Sequence, residues 1–321
     1  MSALFRPFSH QPGTAFLLPA STLICRVYPT LVEVFDYSHS IPKEIAKVPF
    51  SFGPLDQFTV VQDLERGYIQ VSGFAKSGYV RYQIYSKDGT YTIHQGRKKP
   101  GIKPRAPFER LYLGSNKQQK WPDIASRCDM REVLAIWYTL GQCAPSLPDT
   151  IFTGSSLVSL VQSGELDAFK ALFQAGFDPG FVPRLFDADH LGYNLPVVAE
   201  QNISPLLLLT EVAKSIRSLF FVEQERIFSI LPKLDTKFHC GSLTDIRTVR
   251  GHHISIDWTK HLIRTLEITA AVDDTICFNF QKEVKLFRMR LNKKESGAYF
   301  KVNDSLTIEK GKKYYIDSFQ T

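Results

Sequence analysis

A polar segment at residues 186–194 holds the side chains whose types and spacing best suit catalysis. It reads Phe-Asp-Ala-Asp-His-Leu-Gly-Tyr-Asn, so Asp187 and Asp189 share one face if the segment is extended. His190 can exchange a proton near neutral pH. Cleavage of a glycosidic bond needs two carboxyl groups roughly 5 to 10 Å apart, one of them protonated by its surroundings. We therefore predict catalytic roles for Asp187 and Asp189.

Two aspartates this close in sequence do not flank a sugar bond on their own, so a distant carboxylate must complete the pair. Glu109, Glu200 and Glu211 are the candidates, and Glu109 joins the predicted catalytic set. The residues predicted to bind the substrate are aromatic or polar: Trp121, Phe186, His190, Tyr193 and Asn194. The segment also has a purely structural interpretation, because loops rich in Asp and Asn order themselves through hydrogen bonds from side chain to backbone.

Other kinds of chemistry find less support in the sequence. Asp187, Asp189 and His190 could bind a metal ion, but the segment lacks a second His or a suitably spaced Glu. Cys128 and Cys143 have no His nearby in sequence, so neither thiol has a base to activate it. No glycine-rich phosphate loop is present. We predict no metal and no cofactor.

The composition is that of an ordinary globular protein of two or three domains. The chain has 321 residues, of which 44% are hydrophobic and 22% charged. Its net charge of +7 favours acidic partners. The basic residues form only short clusters, however, and accompany no nucleic-acid-binding motif. We therefore predict no nucleic-acid partner.

Cysteine usage and the apolar stretches predict the compartment. The five cysteines are odd in number and have no paired spacing, which indicates reduced thiols rather than a disulfide framework. The N-terminus lacks the pattern of a secretory signal, and the longest apolar stretch, residues 206–209, is far too short to span a membrane. We predict a cytoplasmic protein without a membrane span, and the sequence leaves its oligomeric state open.

Three compositional blocks predict the domains. Residues 1–105 alternate strand-forming runs with turn signals and predict an N-terminal antiparallel β-sandwich. Within it, Asp88-Gly89 predicts a tight hairpin, and Tyr82 and Ile84 are predicted to face the opposite side from Tyr79 and its alternating neighbours.

The remaining blocks predict helices followed by strands. Residues 106–226 hold a linker and a short helical block, with a capping box at Asp129 and Glu132 and a helix start at Ser204-Pro205. Residues 227–321 contain seven short strand candidates and predict a C-terminal β-sandwich. The predicted fold class is therefore α+β and multidomain.

Three segments at the start of the last block carry a recognisable pattern. They read Ile-Phe-Ser-Ile-Leu-Pro-Lys-Leu from residue 227, Gly-Ser-Leu-Thr-Asp-Ile-Arg-Thr-Val-Arg-Gly from 241, and Ile-Ser-Ile-Asp-Trp from 254. This pattern resembles the junction after the last helix of α-L-fucosidases built on an (α/α) barrel, and the C-terminal domain of related disaccharide phosphorylases. Asp235 stands where that family has the second Pro of the turn, and Asp245 where it has a Gly.

The resemblance implies an (α/α) barrel between two β-domains, reduced here to a short helical block. Residues 109–221 are too few for the six helical hairpins of such a barrel. The Asp-Gly-Asn-Phe-Gly segment that carries the family's catalytic Asp is absent. The resemblance therefore implies a non-catalytic or highly reduced relative of these glycosidases, which binds a glycan or acts as an interaction protein.

Two alternatives remain open at this point. The first is an active glycoside hydrolase that pairs a carboxylate of the Asp187–Asn194 loop with a distant Glu, so the sequence does not decide whether the protein is an enzyme. The second is a structural or assembly protein. Separately, residues 109–142 and 186–196 resemble uncharacterised proteins of chlamydia-like bacteria, a resemblance that implies no function.

Overall fold

The structure, a computed structural model, describes residues 5–39, 41–96, 108–145, 161, 164–178, 180–183 and 204–321. Contacts divide the chain into two units, each built from separate stretches. The N-terminal unit comprises residues 3–106 and 117–213, and the C-terminal unit comprises residues 1–2, 107–116 and 214–321. The three-part division with boundaries after residues 105 and 226 stays a prediction.

The N-terminal unit contains two antiparallel sheets. Their strands are β1 (Phe8–Ser9), β2 (Thr14–Leu17), β3 (Leu23–Val27), β4 (Leu31–Asp36), β5 (Lys43–Pro49), β6 (Asp56–Asp63), β7 (Tyr68–Ala75), β8 (Gly78–Lys87) and β9 (Thr90–Gln95). One sheet has the order β1-β6-β7-β8-β9 and the other β2-β3-β4-β5. Tyr82 of β8 is fully buried and its ring centre lies 4.6 Å from that of Phe50, which follows β5. Side chains from both sheets therefore meet in one sandwich-like core.

The hairpin between β8 and β9 confirms the local prediction. Lys87 pairs with Thr90, and Asp88 and Gly89 between them have φ angles of 51° and 76°, as a tight primed turn requires. The alternation along β8 is as predicted at three positions, whereas Gln83, predicted to face the side of Tyr79, is buried. Tyr82 and Ile84 are fully buried, whereas Tyr79 is 58% exposed.

Four helices occur in the described residues: α1 (Trp121–Arg127), α2 (Met130–Cys143), α3 (Leu166–Gly176) and α4 (Leu206–Phe220). The Asp129 side chain accepts the N–H of Arg131 and caps α2, but Glu132 does not complete the predicted capping box. Arg127 instead binds both oxygens of Glu132. The reduced (α/α) barrel stays a prediction.

The start of α4 is as the sequence predicts. Ser204 Oγ accepts the N–H of Leu206 at 3.2 Å, and Pro205 lies between them. Among the helices that the structure describes, none combines the length and apolar character needed to cross a membrane.

The C-terminal unit is almost entirely β-structure. Its strands are β10 (Arg110–Tyr112), β11 (Phe221–Gln224), β12 (Ile227–Ile230), β13 (Cys240–Arg247), β14 (His253–Thr259), β15 (Leu262–Thr269), β16 (Asp274–Asn279), β17 (Leu286–Arg290), β18 (Ala298–Lys301), β19 (Leu306–Ile308) and β20 (Lys313–Gln320). A seven-stranded sheet has the order β10-β13-β14-β15-β20-β17-β18, and a four-stranded sheet the order β11-β12-β16-β19. The β-rich α+β fold class is thus present.

The predicted helical block begins too early in the chain. Residues 110–112 form β10, which pairs with β13 through Leu111 opposite Leu243. Leu111 and Leu113 are both buried, so the apolar positions here repeat every two residues rather than at helical spacing. The segment is an edge strand of the C-terminal unit for that reason.

The buried carboxylate of Asp274 on β16 contacts three basic side chains in the C-terminal unit. His252 Nδ1 accepts the N–H of Ala271, so Nε2 carries the proton and donates it to Asp274 at 3.2 Å. Arg250 and Arg226 lie 2.8 and 3.4 Å from the same carboxylate. Burial raises the pKa of Asp274, but hydrogen bonds, chiefly from His252, and the two guanidinium charges outweigh it and hold the pKa below its usual value.

Asp274→Asn should lower the free energy of unfolding at neutral pH by about 1–3 kcal/mol, because buried donors lose a charged acceptor. In the wild type this contribution is present above the unfolded-state pKa of about 3.9 and is lost as the pH falls through the lower folded-state value. The variant should therefore lose less stability on acidification. Urea unfolding from about pH 7 down to about pH 3 measures this, and parallel curves for the two proteins would contradict it.

A close helix contact in the N-terminal unit yields a second prediction. A Cβ atom at Gly141 of α2 would lie 2.4 Å from Ala213 Cβ and 2.6 Å from the Leu209 carbonyl oxygen of α4. Gly141→Ala should destabilise the protein by about 1–3 kcal/mol, because this overpacking exceeds the gain in helix propensity. Gly176→Ala is the control, since its new methyl group would lie 3.1 Å from the flexible end of Leu172 and at an ordinary contact distance of 3.8 Å from Leu208. Equal urea midpoints for the two variants would contradict the prediction, because α2 and α4 would then accommodate the methyl group at position 141 without loss of stability.

Candidate functional site

A cleft of about 290 Å³ opens beside β2 in the N-terminal unit. Its walls come from the turn that precedes β2, from β2 and β3, and from a short segment after α3. The described lining residues are Gln11, Pro12, Gly13, Thr14, Ala15, Arg26, Asp178 and Gly180. Polar groups of both signs therefore border a space large enough for a small molecule.

The first wall is a tight turn held by its own hydroxyl groups. The Gln11 N–H donates to Ser9 Oγ at 3.0 Å, and Thr14 Oγ1 donates to the Gln11 carbonyl oxygen at 2.9 Å. Pro12 followed by Gly13, with a φ of 81°, is the sequence that a type II turn favours. This turn holds the Gln11 amide and the Thr14 hydroxyl at the cleft.

The second wall is brought close by a glycine. A Cβ atom at Gly180 would lie 2.0 Å from the Ala15 carbonyl oxygen, so only glycine permits this approach to β2. The segment is turned by two backbone hydrogen bonds, from Phe181 N–H to Asp178 O at 2.8 Å and from Asp178 N–H to Val182 O at 2.9 Å. The turn places Asp178 at the cleft.

Arg26 supplies the positive charge of the cleft. It lies opposite Ala15 in the register of β2 and β3, and its guanidinium carbon is 5.1 Å from the centre of the Phe35 ring, which orients the group. Tyr37 is buried, and both charges affect the pKa of its hydroxyl group. Burial raises the pKa of its hydroxyl, the Asp178 carboxylate raises it further, and the Arg26 guanidinium opposes the change.

The chemistry available in the cleft is recognition by hydrogen bonds. A guanidinium group donates, a carboxylate accepts and a side-chain amide does both, whereas the Thr14 hydroxyl, whose proton goes to the Gln11 carbonyl oxygen, can only accept. Asp178 is the one carboxylic acid among the described residues that line the cleft. Hydrolysis of a glycosidic bond requires two carboxyl groups, and the described lining residues supply one.

Glu109, a predicted catalytic residue, lies in the C-terminal unit just before β10. Its carboxylate accepts hydrogen bonds from Arg217 Nε at 2.8 Å and Nη2 at 3.2 Å, and from the Arg247 N–H at 3.0 Å. These bonds hold β10, α4 and β13 together. The described geometry therefore gives Glu109 a structural role, and its catalytic role stays a prediction.

Trp121, predicted to bind substrate, begins α1 in the N-terminal unit. Its side chain is completely buried, and its ring centre lies 4.7 Å from that of Phe181. A ring without exposed surface packs in the core, so the described geometry does not support a substrate contact. Glu109 and Trp121 belong to different units.

The polar loop falls outside the described residues. This applies to Asp187, Asp189, Phe186, His190, Tyr193 and Asn194, and also to Glu200 among the candidate partners. Their predicted roles stay predictions. Within the described ranges, no group of three or more His, Cys, Asp or Glu side chains is arranged to hold a metal ion.

The residues of the cleft were not predicted from the sequence. Arg26 and Asp178 are separated by more than 150 residues, and no local pattern connects them. A weak signal exists in the two Pro-Gly dipeptides at positions 12–13 and 179–180, since Pro-Gly marks tight turns. Such turns are common, and the pairing of these two depends on the tertiary fold.

Comparison with known proteins identifies no family for this chain. No protein-family model matches it. A search of curated proteins likewise returns no significant match. The resemblance to (α/α)-barrel fucosidases therefore stays a prediction.

Proposed function

We propose that the protein is a non-catalytic, highly reduced relative of the helical-barrel glycosidases and binds a glycan, with one sugar residue held in the cleft between Arg26 and Asp178. The helical block of α1–α4 is the reduced barrel in this proposal. A cytoplasmic location is part of it, supported by five cysteines that are all free thiols.

The observation that carries the proposal is the mixed polar lining of the cleft. Sugar hydroxyl groups both donate and accept hydrogen bonds, and the cleft offers a rigid acceptor in Asp178 and a forked donor in Arg26. The Gln11 amide can serve either role. A volume of about 290 Å³ suits a single ring rather than a longer chain, so the rest of a glycan would extend into solvent.

The same lining supports binding without turnover. Among the described lining residues, Asp178 has no second carboxylic acid with which to flank a glycosidic bond. The alternative of an active hydrolase rests on the loop from Asp187 to Asn194, which lies outside the described residues, so no specific observation favours it.

A glycan array followed by titration calorimetry tests the proposal. Wild-type protein should bind a defined glycan, and Asp178→Asn and Arg26→Gln should each weaken binding by about tenfold to a hundredfold, because each removes one charged hydrogen-bonding partner. Glu44→Gln is the matched control. Glu44 lies on β5, pairs with Lys47 and is not among the described lining residues of the cleft, so this variant should bind normally.

Three results would contradict the proposal. The first is a wild-type protein that binds no glycan on the array. The second is cleavage of aryl glycosides by the wild type, which would make the protein an enzyme. The third is cleft-dependent binding of a small zwitterion such as a free amino acid, which would keep the site and replace the ligand class.

A further inference from the structure

A second polar surface lies on the outward face of the seven-stranded sheet of the C-terminal unit. Tyr314 and Ile316 of β20 and Phe287 of β17 are buried, so the alternating residues on these strands point outward. We call this surface the basic face. The charged residues around Tyr315 on this face are Glu267, Arg288, Arg290, Lys313 and Asp317, together with Lys293 from the turn after β17.

One half of the basic face is built around Glu267 and Tyr315. Lys293 Nζ and Lys313 Nζ lie 3.0 and 2.6 Å from the two carboxylate oxygens of Glu267. The same two ammonium groups lie 4.8 and 5.1 Å from the centre of the Tyr315 ring. The side chains of Lys293 and Lys313 are nevertheless 66% and 45% exposed. Two cations are thus held in place and remain open to solvent.

The other half has a similar set of ion pairs around Asp317, but its cations are less open, since the Arg288 and Arg290 side chains are 24% and 15% exposed. Arg288 Nε lies 2.8 Å from Asp317 Oδ1, and Arg290 bonds the other carboxylate oxygen. Arg290 is opposite Tyr315 in the register of β17 and β20, so the two halves adjoin. Each half contains two cations and one carboxylate, which leaves an excess of positive charge on a rigid sheet.

We infer that the basic face binds an acidic glycan, carboxylated or sulfated, whose anionic groups lie over the exposed lysine pair. The inference rests on the proposed function only in taking the ligand to be a glycan. The charges are complementary, because four cations outnumber two carboxylates in a chain of net charge +7. Tyr299, opposite Arg288 on β18 and 52% exposed, adds a hydroxyl at the rim.

The alternative polyanion, a single-stranded nucleic acid, fits this face less well. Such ligands depend on stacking of bases on open aromatic rings. Here the ring of Tyr315 already has two ammonium groups near it, which leaves Tyr299 as the one of the two rings that is open to a base, so successive bases could not stack. An acidic glycan needs charge and hydroxyl contacts and no stacking platform.

Fluorescence polarisation with a labelled sulfated oligosaccharide tests the inference. Wild-type protein should bind it, and raising NaCl from about 50 to about 300 mM should weaken binding strongly, because exposed charges are then screened. Lys293→Ala with Lys313→Ala should weaken binding about tenfold. The matched control is Lys310→Ala with Lys312→Ala, which removes the same charge from the turn before β20 and should change binding about twofold or less.

Glu267→Gln provides a variant whose effect cannot result from misfolding. Removing the carboxylate frees both ammonium groups for the ligand, so binding should tighten several-fold. Equal losses in the two double-lysine variants would overturn the inference, because binding would then reflect bulk charge alone. Preferential binding of single-stranded RNA through Lys293 and Lys313 would also overturn it.

The outcome is separable from that of the proposed function. Asp178→Asn should leave binding of the sulfated oligosaccharide unchanged, since Asp178 belongs to the other unit. If neutral glycans bind through the cleft and the sulfated probe does not bind, the inference fails and the proposed function stands. If the sulfated probe binds as described and no glycan needs Asp178, the cleft proposal fails and the basic face stands.

Discussion

The approach of Gly180 to the Ala15 carbonyl oxygen is the contact on which the cleft depends. At this position a Cβ atom would lie 2.0 Å from the oxygen, so any other residue would force the segment after α3 away from β2. Asp178 would then move away from Arg26, and the two charges would no longer border one space. The position of the polar side chains in the candidate site therefore depends on the close backbone contact that Gly180 permits.

The C-terminal unit uses carboxylates in two different settings. Asp274 is buried and receives a histidine and two arginines, so its charge is neutralised by groups around it. Glu267 lies on a sheet face and receives two lysines that remain largely open to water. The first arrangement stabilises the fold at neutral pH. The second contributes little to stability because exposed ion pairs are weak, which leaves the two ammonium groups available to an external anion.

Local signals in the sequence predicted local structure well. Asp88-Gly89, Asp129 and Ser204 occupy the turn and caps assigned to them, because each effect involves only a few neighbouring residues. Long-range structure was not predictable in this way. β10 pairs with a strand some 130 residues later, and Arg26 meets Asp178 only through the fold. Glu109 and Trp121 have side chains that suit catalysis and sugar binding. The ion pair of Glu109 and the burial of Trp121 depend on tertiary contacts, which residue type does not reveal.

The interleaving of the two units has a consequence for synthesis of the chain. β10 is synthesised between the two stretches of the N-terminal unit, and it cannot pair with β13 until residues 240–247 have been made. Until then its backbone groups are unpaired, and late pairings of this kind are slow and expose strand edges. A fragment that begins at residue 117 would retain β13 and lack β10, so this edge of β13 could never pair with its native partner. Nascent chains of this protein are therefore expected to need protection at one short strand, long before any ligand is present.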